Sequence, residues 1–71
     1  MKTDKVLGAN VRDARLKAGI TQEDLARRLR KTQPTISSWE SGATSISAEM
    51  LARLARLLGV KVSDLYRGVM N

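Results

Sequence analysis

"TQEDLARRLRKTQPTISSWESG", residues Thr21 to Gly42, is the stretch that decides the fold. Thr21 can offer its hydroxyl to the backbone amide of Asp24, and Ile20 and Leu25 stand at the two positions of a hydrophobic staple, so a helix runs from Gln22 to about Arg30. Thr32 is the next cap, Pro34 fits a first helical turn because its missing N–H is unpaired there anyway, and Gly42 is a terminator. A second helix therefore spans about Gln33 to Ser41. Only Lys31 and Thr32 separate the two, which makes them cross steeply instead of folding back as a splayed hairpin.

Working outward, Leu7, Val11, Ala14 and Ala18 recur at helical spacing before Gly19, which predicts a helix from about Asp4 to Ala18. Downstream, Ile46 and Ser47 repeat the staple and cap with Leu51 as partner, and Leu51, Leu54, Ala55 and Leu58 form an apolar stripe ending before Gly59. Ser63 is expected to cap a last short turn through Leu65 and Tyr66, and the tail "RGVMN", 67–71, to fray. With no repeat or linker, residues 1–71 read as a single domain folded over about 4–66, and the class is all-α.

Composition narrows the chemistry. Apolar residues are 42% of the chain, with Trp39 and Tyr66 its two aromatics, and a lone Trp at a helical packing position belongs in the core. The absence of Cys and His closes thiol chemistry, Cys/His metal sites and imidazole catalysis, so no enzyme activity, metal or cofactor is expected. No apolar run is long enough to span a membrane or serve as a secretory signal, and the expected location is the cytoplasm. Thirteen basic against seven acidic residues, net +6, imply a polyanionic partner; the plainer alternative is a surface charged only for solubility.

The steep two-helix unit is helix-turn-helix geometry. With "RLKAGITQEDLA", "TISSWESG" and "LARLLGVKVSDLY" in order around it, nearly the whole chain resembles the Cro and phage-repressor (XRE-type) helix-turn-helix DNA-binding family. The resemblance implies five helices, the third lying in the major groove, and a transcriptional repressor or regulator acting as a homodimer on a pseudo-palindromic operator. It further implies that Arg15 pairs with Glu40, that the loop holding Thr44 and Ser45 runs along the DNA backbone, and that Val62, Asp64, Leu65 and Tyr66 are dimer candidates. Leu65 and Tyr66 have the alternative role of closing the monomer core.

Helix three presents little charge for so basic a chain, and that suits base reading. Uncharged polar groups bind only where donors and acceptors match, whereas Lys or Arg binds any phosphate. Gln33 can meet adenine N6 and N7 together, Thr32 and Pro34 a thymine methyl, and Ser37 and Ser38 donors or acceptors; Gln33, Ser37 and Ser38 are assigned one face. Phosphate contacts are expected from Gln22 at a helix amino end and from Arg28, Arg30 and Lys31 near the turn, with Arg27 as an addition. The loop "ATSIS" carries no basic residue, and Arg30 stands where the family commonly has a turn Gly, costing about 1 kcal/mol if the backbone there is left-handed. The competing reading is a protein-interaction module, such as an antitoxin or co-regulator, which the cation-free loop favours.

Overall fold

The computed structural model describes residues 2–69. Five helices follow in order: α1 Lys2–Lys17, α2 Gln22–Leu29, α3 Gln33–Ser41, α4 Ala48–Leu58 and α5 Val62–Leu65. The second and fourth start, and the third and fourth stop, where local chemistry directs. Thr21 Oγ1 accepts from the Asp24 amide at 3.0 Å, and Ser47 Oγ from Met50 at 3.1 Å. Gly42 and Gly59 close their helices at φ 81° and 74°, a left-handed conformation that L side chains adopt only under strain.

Three boundaries differ from the sequence expectation. Helix α1 begins at Lys2, before Asp4, and ends at Lys17. Ser63 lies inside α5 and does not cap it; the cap position belongs to Lys61, whose amide donates to Asp64 Oδ2 at 3.0 Å. Residues 67–69 do not fray, because Asn10 Nδ2 donates to the carbonyls of Leu65 and Arg67, each at 2.8 Å, and Val69 packs against the core. Residues 70–71 of the expected tail lie outside the described residues.

Helix α1 runs across α3, α4 and α5, and α2 packs on α3. Val11, Leu25, Ile36, Leu51, Leu54 and Leu65 are fully buried where these helices meet, each such burial stabilising by about 1.5–3 kcal/mol. Trp39 joins them at 7% exposure, so its ring is core. Gly8 sets the closest approach: a Cβ there would lie inside contact distance of the Trp39 carbonyl oxygen and 2.8 Å from that of Glu40. The missing side chain lets α1 press against the carboxyl end of α3 and fixes the helix carrying the candidate site.

Candidate nucleic-acid interface

A chain of side-chain hydrogen bonds ties α1, α2 and α3 together. Arg15 Nε donates to Glu40 Oε2 at 2.6 Å and Nη2 to Oε1 at 3.1 Å, while Nη1 donates to the Ile20 carbonyl at 2.8 Å. Both residues are 7% exposed, and every nitrogen of the guanidinium has a partner. Leaving one charge buried alone costs about 3–5 kcal/mol, so the pair resists separation. Glu40 Oε1 also accepts from Gln22 Nε2 at 2.9 Å, and Gln22 Oε1 accepts from Gln33 Nε2 at 2.7 Å. The chain thus runs from a buried ion pair to an exposed amide at the amino end of α3.

This arrangement leaves specific valences open. Gln33 retains one N–H and its carbonyl oxygen, a donor and an acceptor side by side, and Gln22 retains one N–H. A donor–acceptor pair of this kind matches adenine N7 and N6 in the major groove. Pro34 and Ser37 are exposed with Gln33, but Ser38 is half-buried. At 3.6 residues per turn Ser38 lies about 140° round the helix from Gln33, which corrects the assignment of all three to one face. Thr32 holds the cap position in extended backbone, yet its hydroxyl lies 2.9 Å from that of Thr35 and does not cap α3.

The basic residues divide into occupied and open. Asp24 holds Arg27 at 2.6 Å and Arg28 at 3.1 Å, so a phosphate must compete for either. The hydrogen bond from Arg27, aided by the charge of Arg28, holds the Asp24 carboxyl below its ordinary pKa, against a smaller opposing effect of desolvation. The spacing of Asp24 to these arginines, i to i+3 and i+4, is a readable signal that the list of phosphate candidates overlooked. Arg30 and Lys31 are exposed and form no ion pair among the described residues. Arg30 sits at φ 58°, ψ 42°, the left-handed conformation usually left to glycine.

Two other assignments change. Ser45 Oγ donates to Asp4 Oδ2 at 3.0 Å, which places a carboxylate beside the loop and opposes a phosphate there; Thr44 is exposed. Leu65 is 1% exposed and closes the monomer core, so it is unavailable to a second copy, and Asp64 accepts from Lys61 and Arg67. Val62 and Tyr66 remain exposed at 39% and 36%. Sequence reading passed over Gly8 and Asn10, which act through contacts distant along the chain. No group of acidic residues able to hold a metal occurs among the described residues, and no helix among them is long and apolar enough to cross a membrane.

Comparison with known proteins gives this geometry a context. The family described as Helix-turn-helix matches residues 11–65. Multiprotein-bridging factor 1 of Eremothecium gossypii is 34% identical over 61 residues, 86% of this chain and 40% of that protein. The chain thus spans less than half the length of that relative. The clp gene regulator ClgR of Corynebacterium glutamicum superimposes with a TM-score of 0.84 at 33% identity, over 89% of this chain and 67% of that one. The DNA-binding domain of S. venezulae BldD does so with a TM-score of 0.82 at 28% identity, over 92% and 97% of the two chains.

Proposed function

Because the chain belongs to the helix-turn-helix family, we propose that it is a sequence-specific DNA-binding transcription regulator, a repressor that occupies its operator by inserting the amino end of α3 into the major groove. The observation that carries the reading is the hydrogen bond from Gln33 to Gln22, which orients an exposed amide whose remaining donor and acceptor fit adenine. Thr32, Pro34 and Ser37 surround it at the groove edge, with Ser38 at the margin. Gln22, Arg30 and Lys31 face phosphates, and Arg28 does so in competition with Asp24.

The protein acts in this reading without catalysis, as a homodimer on a pseudo-palindromic site in the cytoplasm, with Val62 and Tyr66 at the junction. Similarity to the clp gene regulator ClgR and to the DNA-binding domain of BldD supports it. The test begins by selecting bound duplexes from a random library and then compares Gln33→Ala on the selected and on random DNA. Discrimination is expected to fall by about 1–3 kcal/mol. Equal losses on both DNAs refute the role of Gln33.

A second reading has its own support. Likeness to a protein named as a multiprotein-bridging factor and a loop without cations both fit a module that binds another protein. Salt separates the two: each phosphate contact contributes a slope of about −0.9 in log affinity against log salt. DNA binding with no salt dependence favours the protein-binding module.

A further inference from the structure

Helix α1 carries a stripe of residues beside α3, two of which no functional assignment has used. Lys5, Gly8, Arg12 and Arg15 recur at intervals of three and four, and so line one side of the helix. Gly8 and Arg15 fix where that side lies, since the first packs on the carbonyls of Trp39 and Glu40 and the second pairs with Glu40. Lys5 and Arg12 therefore flank α3. A Cβ on Gly42 would lie 2.6 Å from Lys5 Cγ, which seats the lysine stem against the end of α3. Arg12 lines a cleft of about 220 Å³ with Gln22, Ser37, Glu40 and Ser41.

Both cations are exposed, and neither forms an ion pair among the described residues, in contrast to Lys17, Arg27, Arg28 and Arg67. Glu40 also lines the cleft, and a free carboxylate there would draw Arg12 inward and repel an anion. Its oxygens are instead occupied by Arg15 and Gln22. Arg12 thus lines the same cleft as Ser37 with no carboxylate partner among the described residues. The loop after α3, which begins beside Lys5 at Gly42, has no basic residue and holds Asp4 through Ser45.

We propose that Lys5 and Arg12 of α1 contact DNA backbone phosphates alongside α3, supplying the ionic grip that the loop at 43–47 lacks. This rests on the DNA-binding reading above. These contacts add to those assigned to Arg30 and Lys31 at the turn between α2 and α3. The contacts are independent of sequence, because a guanidinium or ammonium at a phosphate reads charge alone.

The test measures affinity for the selected duplex and for random duplex across salt concentrations, with wild type, Arg12→Gln, Lys5→Gln, Arg12→Lys and Arg53→Gln. Arg12→Gln and Lys5→Gln are expected to flatten the salt slope by about 0.9 each and to weaken both DNAs by the same factor. Arg12→Lys keeps the wild-type slope, and Arg53→Gln, on α4, leaves it unaltered. A wild-type slope in Arg12→Gln overturns the proposal while leaving the DNA-binding reading in place. An equal drop in Arg53→Gln overturns it too, by showing that net charge alone matters. A wild type whose DNA binding ignores salt overturns both. Replacing single phosphates of the selected duplex by neutral methylphosphonates gives an independent arm: one position must weaken wild type and not Arg12→Gln, and the absence of any such position overturns the contact.

Discussion

At Arg30 the chain places a bulky side chain in left-handed backbone, and the cost of that choice is measurable. Arg30→Gly relieves about 1 kcal/mol of strain, so thermal unfolding should shift upward by about 4–8 °C, while in the DNA-binding reading affinity should fall on every sequence by the loss of one proposed phosphate contact. A variant less stable than wild type would contradict the strain. Asp24 sets a second balance by holding Arg27 and Arg28. Asp24→Asn frees both arginines and should raise affinity for selected and random DNA alike in a binding titration. The depressed pKa fixes the sign of the pH effect: the stabilisation from this clamp is complete above the carboxyl's unfolded pKa and disappears as pH falls through its folded value. Stability of the Asn variant should therefore depend less on acid, which denaturant unfolding at stepped pH can check.

Among the elements, the junction of α1 and α3 is the tightest. Gly8→Ala forces a methyl against two backbone carbonyls that cannot turn aside, and should destabilise by about 1–3 kcal/mol, read from the denaturation midpoint. How well each element could be read from sequence follows the range of its determinants. The caps Thr21 and Ser47 and the terminators Gly42 and Gly59 act within a turn, so α2, α3 and α4 were legible nearly to the residue. The docked tail depends on Asn10, 55 residues from Leu65, and no local pattern announces that bond. The same division holds at the candidate site. Gln33 was singled out from its position at the start of a helix, but its bond to Gln22, and the commitment of Ser45 to Asp4, exist only once the helices have met.

For the whole molecule, shape bears on assembly. The domain extends 33 Å along its longest axis, close to the separation of about 34 Å between successive half-sites on one face of DNA. Val62 and Tyr66, exposed at the two ends of α5, are the contact proposed between two copies on such a site. Tyr66→Asp should weaken binding to a duplex with two half-sites and spare binding to one with a single half-site, in a paired gel-shift measurement. Equal effects on both duplexes would remove α5 from the junction. The bonds running from Arg15 through Glu40 and Gln22 to Gln33 add a further consequence. An amide immobilised before the ligand arrives surrenders little rotamer entropy on docking, but it also loses the freedom to adapt to a different letter. In the DNA-binding reading, discrimination at the tip therefore leans on a buried carboxylate, and Glu40→Ala, which strands the Arg15 charge, should lower stability and discrimination together.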